Sequence, residues 1–305
     1  MSKLRRFATL SLASLTALAL AACAEGDPTT GATDDPGTGD DNGGTATQPF
    51  EVAEGVALEG SPTFDDMTAN GVTIGVKEDQ PGLGYLDPIT EELSGFDVDI
   101  ARWIAASLGF EESDITFQAI PSPNREQAIV NGDIDYYVGT YSITDERKQQ
   151  IDFAGPYFIT GQGLLVGVDS EVASEADLGP DTTVCSVTGS TPIQNIRENY
   201  PDVPTEEFDT YSQCVEAIIN NQVDVVTTDE AILIGYAAEN PEQLKIVGEP
   251  FTEERYGVGV PKGDDVLRDH INTLFEENPD IWQAIYDQNL GDSGVEGSQP
   301  EVDRY

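Results

Sequence analysis

Short apolar runs alternate with helical patterns along most of this 305-residue chain. A run GVTIGV at 71–76 is followed by a helical pattern at 96–110, and then by a second run, ITFQAI, at 115–120. The same order returns later in the chain, where TTVCSV at 182–187 precedes a helical pattern at 191–200. Parallel strands need crossover connections, which are usually helices, and this alternation supplies them. The chain is therefore predicted to be an α/β protein with mostly parallel sheets flanked by helices.

The first 22 residues are typical of an export signal. Lys3, Arg5 and Arg6 form a basic start, and the apolar stretch after them is too short for a comfortable bilayer span. The stretch ends in LAAC, which resembles a bacterial lipobox, in which the cysteine is lipidated and becomes the first residue after cleavage. We therefore expect a lipoprotein signal peptide and a lipid on Cys23. An ordinary signal peptide with a chance cysteine is the alternative.

Residues 23–66 differ in composition from the rest of the chain. They contain runs such as DDPGTGDDNGGTATQP, and no Lys or Arg occurs between Arg6 and Lys77. Such a segment cannot bury enough apolar surface to order itself. We expect 23–66 to be the lipidated cysteine and a disordered acidic tether, and 293–305 to be a frayed tail.

The charge balance excludes several classes of protein. The chain has 14 Lys and Arg against 57 Asp and Glu, a formal net charge of −43, so neither nucleic acid nor anionic lipid would attract its surface. Its 38% hydrophobic content allows a sizeable core, so the whole chain is not a disordered acidic segment. The single histidine, His270, lies in a helix-like stretch, and no His/Cys cluster has metal-ligand spacing. We therefore expect no metal and no cofactor.

Two cysteines remain once Cys23 is assigned to the lipid. Cys185 and Cys214 belong to a chain with an export signal, and this favours a disulfide between them. A bridge closing a loop of that length would stabilise the fold by about 3–4 kcal/mol in the chain-entropy model. Two buried free thiols are the alternative.

The central sequence resembles a known family. The strings GFDVDIARWIAASLG, NREQAIVNGDIDYYVGT, SITDER and IDFAGPY are similar to those of family 3 of the bacterial extracellular solute-binding proteins, which are the amino-acid receptors of ABC importers. The resemblance covers about 70 to 290. The strings DQPGLG, CSVTGSTP, YSQCVEAI and VDVVTTDEAILIGY look closer to glutamate-binding lipoproteins of Gram-positive bacteria. Both remaining cysteines lie in these strings, and the resemblance implies that they are bridged.

The resemblance implies a two-lobed clamp of the type II periplasmic-binding-protein kind. Two hinge crossings would join the lobes, each of which is a mostly parallel sheet flanked by helices. The first lobe would comprise 67–161 and 253–292, and the second lobe 162–252. The ligand would lie in the cleft, where strand ends and helix N-termini are presented.

The first lobe would contact the α-groups of an amino acid. The resemblance places Arg147, in SITDER, on the α-carboxylate, which a planar guanidinium binds through two parallel hydrogen bonds. Thr140 and Ser142 share one face of an extended run and would contact the same groups. The alternatives are a surface cation for Arg147 and turn formation for the two hydroxyl residues.

The second lobe would complete the contacts to the α-groups. Gly189, Ser190 and Thr191 stand just before a predicted helix, where free N–H groups favour an anion, so they would take the α-carboxylate from the other side. Asp229 follows a strand and would bind the α-ammonium. An aspartate at a helix start is usually an N-cap, and the two roles can coexist.

The ligand side chain would be read by further polar residues. In the acidic-amino-acid binders of the family, an Arg at the position of Arg125 contacts the side-chain carboxylate, and Ser122 would assist it. A second buried Arg would lack a partner if the ligand side chain were uncharged. Internal packing or a salt bridge is its alternative role. Lys77 and Asp79 are weaker candidates for ligand contact, and the role of Asp79 is open.

The sequence therefore predicts a lipid-anchored, exported receptor on the outer face of the cytoplasmic membrane. It would act as a monomer, capture L-glutamate first and L-aspartate second by clamp closure, and deliver the ligand to the permease subunits of an ABC importer. No catalytic residues are predicted. The alternatives are a receptor for glutamine or asparagine, and a ligand-sensing protein or a dehydratase-like enzyme on the same fold.

Overall fold

A computed structural model describes residues 48–294 and 297–305 of the chain. The predicted signal peptide, the lipidation site Cys23 and the tether up to residue 47 lie outside the described residues.

The helices and strands follow one another as the alternating pattern predicts. The chain begins with α1 (Pro62–Asn70), β1 (Val72–Val76), β2 (Asp79–Gln80), β3 (Gly84–Leu86), β4 (Leu93–Ser94), α2 (Phe96–Ser107), β5 (Ile115–Ala119), α3 (Arg125–Asn131), β6 (Tyr136–Tyr137) and β7 (Asp152–Thr160). It continues with β8 (Gln162–Gly167), β9 (Val184–Val187), α4 (Thr191–Asn199), β10 (Thr205–Phe208), α5 (Tyr211–Ile219), β11 (Val225–Asp229), α6 (Glu230–Glu239) and β12 (Leu244–Val247). It ends with β13 (Glu254–Val260), α7 (Asp265–Glu277) and α8 (Pro279–Asn289).

Two five-stranded sheets define two lobes. The first lobe is built on the order β5-β1-β6-β13-β7, and the second lobe on the order β10-β9-β11-β8-β12. The chain passes to the second lobe between β7 and β8, at Gly161, and returns between β12 and β13. The predicted two-lobed α/β clamp with two crossings is confirmed. Each sheet is mixed, because β13 and β8 run antiparallel to their neighbours while the remaining pairs are parallel.

Aromatic side chains fix the returning helices in the first lobe. The rings of Phe96 and Trp282 lie 5.8 Å apart between centroids, and those of Trp103 and Phe275 lie 5.5 Å apart. The indole N–H of Trp282 donates to the backbone oxygen of Tyr157 at 2.8 Å. Buried aromatic rings contribute large apolar areas, so α7 and α8 pack firmly on α2 and β7 although they come after the second lobe in sequence.

Residues 48–66 differ from the predicted disordered tether. The Ala53 N–H donates to the Ala106 carbonyl at 2.9 Å, and the half-buried side chains of Phe50 and Val56 pack on the core. The tether prediction is therefore wrong for this part. Composition averaged over the whole segment hid a short stretch with enough apolar side chains to cover α2.

The C-terminal tail also differs from its prediction. The Phe153 N–H donates to the hydroxyl of Tyr305 at 2.8 Å, and Arg304 pairs with Glu276 at 2.7 Å. Residues 297–305 are therefore held against the first lobe rather than frayed, because an aromatic ring and a guanidinium at the chain end find partners there.

Cys185 and Cys214 form a disulfide, with their Cα atoms 5.7 Å apart. The bond joins β9 to α5 inside the second lobe. Within the described ranges, the helices are all too short or too polar to cross a membrane.

Candidate functional site

A narrow cavity lies between the two lobes. All but one of the residues that line it, Pro192, have polar side chains. The lining residues are Ser122, Arg125, Thr140, Ser142 and Arg147 from the first lobe, and Ser190, Thr191, Pro192, Tyr211 and Asp229 from the second. The lining of the cavity thus includes all of the predicted ligand-binding residues except Gly189, Lys77 and Asp79.

Arg147 is held in place by its own lobe. It begins a short 3-10 turn after SITDE, and its side chain is buried. Nη1 donates to the carbonyl of Ser142 at 2.6 Å, and Nε lies 3.3 Å from a carboxylate oxygen of Glu126. Burial first, and the neighbouring Arg125 second, lower the pKa of Arg147. Two contacts within the first lobe therefore hold the guanidinium at the cavity.

Arg125 lies beside it at the start of α3. Its Nε donates to the carbonyl of Ser122 at 3.1 Å. The two guanidinium carbons of Arg125 and Arg147 lie 4.2 Å and 4.9 Å from the ring centre of Tyr141, which accommodates both cations through its π face. In the part of the chain that the structure describes, no carboxylate forms an ion pair with Arg125.

Lys77 adds a third buried cation near the same face. Its Nζ donates to the hydroxyl of Ser122 at 2.8 Å, so Lys77 contacts a cavity residue without lining the cavity itself. Burial, and then the charge of Arg125, lower the pKa of Lys77 to about 7. Glu126 is the one acid among the described residues that pairs with any of the three cations. The first-lobe face therefore carries a surplus of positive charge.

The turn before α4 supplies the opposite face. Gly189 has a positive φ of 74°, and its carbonyl accepts from Nη2 of Arg147 at 3.1 Å and from Nη2 of Arg125 at 3.5 Å. A Cβ on Gly189 would lie 3.0 Å from Cα of Pro123, so a larger residue would hold the lobes apart. The hydroxyl of Ser190 accepts from the Ile193 N–H at 3.3 Å and caps the helix.

Thr191 contacts the first lobe at two residues, Ser142 and Glu254, the first residue of β13. Its hydroxyl lies 3.3 Å from that of Ser142 and donates to Glu254 at 2.8 Å. The predicted turn residues Gly189, Ser190 and Thr191 therefore all lie at the meeting point of the lobes.

Asp229 is a buried carboxylate with incomplete hydrogen bonding. Oδ2 accepts from the hydroxyl of Tyr256 at 2.6 Å, while Oδ1 is buried without a partner. Burial first, and the charge of Glu254 second, raise the pKa of Asp229 to about 8. Its side chain makes no cap hydrogen bond to α6, so capping does not account for it. An ammonium group placed beside Oδ1 would satisfy both the charge and the free lone pairs.

Thr140 is held in an unusual conformation at the rim of the cavity. It has a positive φ of 44°, and its N–H donates to the buried carboxylate of Asp97 at 2.9 Å. Its hydroxyl donates to Oε1 of Gln80 at 3.2 Å, and Nε2 of Gln80 is buried without a partner. A strained residue beside an unsatisfied donor is typical of a binding site.

Besides Pro192, Tyr211 is the residue lining the cavity that sequence reasoning did not assign to the site. It is the first residue of α5, is 4% exposed and stands three positions before the bridged Cys214 in the string YSQC. An aromatic at a helix start resembles a core residue, and its position in that string is the one available signal. Asp79 lies away from the cavity, where its carboxylate accepts from the N–H groups of Tyr211 and Ser212.

The charged groups of the cleft suit the binding of a ligand that carries both negative and positive groups. The cavity has the guanidinium groups of Arg125 and Arg147 on the first-lobe side, and the carboxylate of Asp229 and the N-terminus of α4 on the second-lobe side. Among residues 48–294 and 297–305, no cluster of three or more His, Cys, Asp or Glu side chains has an arrangement that would hold a metal ion.

Known proteins share this architecture. The family model of the bacterial extracellular solute-binding proteins, family 3, matches residues 72–292. Glutamate-binding protein GluB of Corynebacterium efficiens is 41% identical over 233 residues, which cover 72% of this chain and 79% of that protein. The ABC transporter glutamine-binding protein GlnH of Bacillus subtilis is 42% identical over 206 residues, covering 68% of this chain and 75% of that one.

A solved structure with the same fold is an ancestral arginine-binding protein bound to arginine. It matches with a TM-score of 0.68 and 32% sequence identity, over 73% of this chain and 99% of that one. The residues that the family model matches include every residue lining the cavity between the lobes.

Proposed function

The chain belongs to family 3 of the bacterial extracellular solute-binding proteins, and from this premise we propose that it is the receptor of an ABC importer for an acidic amino acid. L-glutamate is the first choice of ligand and L-aspartate the second. The observation that carries the proposal is the surplus of buried cations on the first-lobe face, where Lys77, Arg125 and Arg147 share one paired acid, Glu126.

Each charged group of glutamate has a counterpart in the cleft. The α-carboxylate is bound by Arg147, with Thr140, Ser142 and the turn at 189–191 around it. The α-ammonium is bound by Asp229, whose free Oδ1 and raised pKa suit a cationic partner. A site that takes both groups out of water must pair both, and these residues do so.

The side-chain carboxylate is bound by Arg125, with support from Ser122 and Lys77. Removing a buried cation's only partner is strongly unfavourable, so an uncharged ligand side chain would leave Arg125 without compensation. The lowered pKa of Lys77 fits the same role, because an anion at this place would restore its charged form.

Clamp closure links binding to delivery. The first lobe binds the ligand through its preset guanidinium groups, and the second lobe then closes with the turn at 189–191 and Asp229. The closed shape is what the permease subunits recognise. A micromolar receptor needs about −8 kcal/mol of net binding free energy, which two Arg–carboxylate pairs and one Asp–ammonium pair supply after ordering costs.

Glutamine is the alternative ligand to the acidic amino acids. A relative named for glutamine is as similar as the relatives named for glutamate, and the pKa of Lys77, lowered to about 7 by burial, leaves part of its amine uncharged at neutral pH. A neutral amine beside Ser122 could accept a hydrogen bond from an amide. The protein acts as a binding protein rather than an enzyme in either case.

A ligand series measured by calorimetry tests the function. The purified protein should bind L-glutamate, with L-aspartate weaker and L-glutamine at least tenfold weaker still. Tighter binding of glutamine than of glutamate would contradict acidic specificity and leave the receptor function standing. No heat with glutamate, aspartate, glutamine, asparagine or arginine would contradict the receptor function itself.

Membrane attachment is a separate part of the proposal. We expect the protein to be exported, lipidated at Cys23 and held as a monomer on the outer face of the cytoplasmic membrane. Replacing Cys23→Ala should release it into the medium, as shown by immunoblotting of cell and medium fractions. Retention of the variant in the membrane fraction would contradict the anchor.

A further inference from the structure

A short segment of the first lobe reaches across the cleft. Oδ2 of Asp79, in β2, accepts from the N–H groups of Tyr211 at 2.9 Å and Ser212 at 3.3 Å. The hydroxyl of Tyr236, on α6, donates to the carbonyl of Asp79 and lies 3.3 Å from its carboxylate. The neighbouring Pro81 packs on α6 so closely that its carbonyl leaves no room for a Cβ on Gly235.

This contact completes the N-terminal cap of α5 from the opposite lobe. Within the second lobe, the Thr210 side chain accepts from the Gln213 N–H, and Gln213 accepts in return from the Thr210 N–H. The N–H groups of Tyr211 and Ser212 are the remaining donors of the first turn, and the partner that they find is Asp79. A carboxylate at a helix N-terminus is stabilised by both the free N–H groups and the helix dipole.

The capped helix is linked to the binding cavity in two ways. Tyr211, its first residue, lines the cavity, and Cys214, one turn later, is bonded to Cys185. Cys185 lies in β9, the strand that leads directly to the turn at 189–191. A contact that holds the start of α5 therefore also holds two parts of the second-lobe face.

We propose that Asp79 is a positioning residue that latches the two lobes together and strengthens ligand binding without touching the ligand. The inference rests on the proposed function, because it requires that closure accompanies binding. The latch acts on closure, so it strengthens the binding of every amino acid that the cleft accepts by the same factor.

The charge of Asp79 distinguishes the latch from a direct electrostatic effect on the ligand, because the two change glutamate affinity in opposite directions. The carboxylate of Asp79 lies near Lys77 and opposes the lowering of the pKa of that lysine. If Asp79 influenced an acidic ligand through its charge alone, neutralising it would remove a repulsion and strengthen the binding of glutamate. The latch predicts the opposite, because a neutral amide interacts more weakly than a carboxylate with the helix dipole and with the free N–H groups.

The test compares Asp79→Asn and Asp79→Ala with the unaltered protein by calorimetry and stopped-flow kinetics. Asp79→Ala should weaken glutamate binding by about 5- to 30-fold, the range that corresponds to the loss of a helix cap. The loss should appear as faster dissociation, with the same factor for glutamate and aspartate. Tyr236→Phe, which removes one hydroxyl from the latch, should show a smaller loss in the same direction.

Asp87→Asn is the matched control. The carboxylate of Asp87 accepts from the N–H groups of Ile89 and Thr90 in the loop that joins β3 to β4, and so it caps a turn within its own lobe. Its replacement should leave the dissociation rate unchanged. If Asp79 had only a local structural role, its replacement would lower the thermal unfolding midpoint of the ligand-free protein and leave the affinity for glutamate unchanged. That result would contradict the latch.

Stronger or unchanged glutamate binding by the Asp79 variants would overturn the latch, as would a loss confined to acidic ligands. If the unaltered protein binds glutamine or arginine instead of glutamate, the acidic assignment fails and the same comparison is made with that amino acid. If it binds none of these, the receptor function fails, and small-angle X-ray scattering decides the latch. Equal radii of gyration for Asp79→Ala and the unaltered protein would then overturn it.

Discussion

The first-lobe and second-lobe faces of the cleft differ in how their charges are held. On the first-lobe face, Arg125 and Arg147 are held by several contacts within that lobe, to carbonyl groups, to Glu126 and to the ring of Tyr141. Each adds one hydrogen bond to the Gly189 carbonyl of the second lobe. On the second-lobe face, Asp229 finds its hydrogen-bond partner in Tyr256 of β13, which belongs to the first lobe.

The difference indicates that the two faces act at different stages of ligand binding. A face whose cations are already positioned can bind an anion before the lobes meet, because little ordering remains to be done. A face that is completed by the opposite lobe contributes mainly after closure. Changes on the first-lobe face should therefore remove binding, and changes on the second-lobe face should shorten the lifetime of the complex.

Arg147→Ala should have the largest effect. Removing one partner of a buried charge pair costs about 3–5 kcal/mol, so the affinity for glutamate should fall by at least 100-fold by calorimetry. Arg197→Ala is the control, because Arg197 pairs with Glu207 on the surface and should leave the affinity unchanged. A loss of less than tenfold for Arg147→Ala would contradict the assigned role of the first-lobe face.

Asp229→Asn should cause the next largest loss of affinity, and this loss should lie mainly in the dissociation rate. We expect glutamate to bind about 10- to 100-fold more weakly, since a charge-assisted hydrogen bond to the ammonium becomes a neutral one. Stopped-flow measurements should assign most of this loss to dissociation, because association depends on the first-lobe face. A mainly slower association would remove the distinction between the two faces.

The raised pKa of Asp229 predicts that the free energy of unfolding of the ligand-free protein depends on pH. Per pH unit, this effect is smaller than the losses of affinity expected for Arg147→Ala and Asp229→Asn. Folding raises this pKa from the ordinary 3.8 to about 8, so the folded protein holds a proton that the unfolded chain releases between those values. The stability that Asp229 contributes is present below pH 3.8 and is lost as the pH rises towards 8.

Asp229→Asn lacks this titration and provides the comparison. The free energy of unfolding of the unaltered protein should fall relative to that of the variant by up to about 1.4 kcal/mol per pH unit from about pH 4 to about pH 8, and then stay level. Urea unfolding at several pH values measures both curves. Parallel curves over this range would show that Asp229 titrates normally and that its burial has little cost.

Local patterns in the sequence predicted much of the fold and the cavity. Apolar periodicity located the strands and helices, including the pattern at 191–200 that forms α4, because periodicity depends on neighbouring residues alone. SITDER and the strand before Asp229 pointed to residues that the structure does bring together.

The parts that sequence reasoning missed depend on distant contacts. Asp79 is a sequence candidate for ligand contact, but its partners lie on helices α5 and α6, 132 and 157 positions away in sequence. Tyr211 was missed for the same reason, because its place in the cavity depends on how the two lobes pack, while in the sequence it looks like a core aromatic. The ordered segment at 48–66 and the tail at 297–305 were missed because low-complexity composition does not show which few side chains will find a surface to cover.

The selectivity of Arg125→Ala tests the central claim most directly. The surplus of positive charge on the first-lobe face is proposed to select an acidic side chain, and within the described residues Arg125 has no ion-pair partner. The ratio of glutamate to glutamine affinity should be measured by calorimetry for the unaltered protein, Arg125→Ala and Arg147→Ala. We predict that the ratio exceeds ten for the unaltered protein and falls to about one or below for Arg125→Ala, while Arg147→Ala weakens both ligands together. An unchanged ratio in Arg125→Ala would contradict the account.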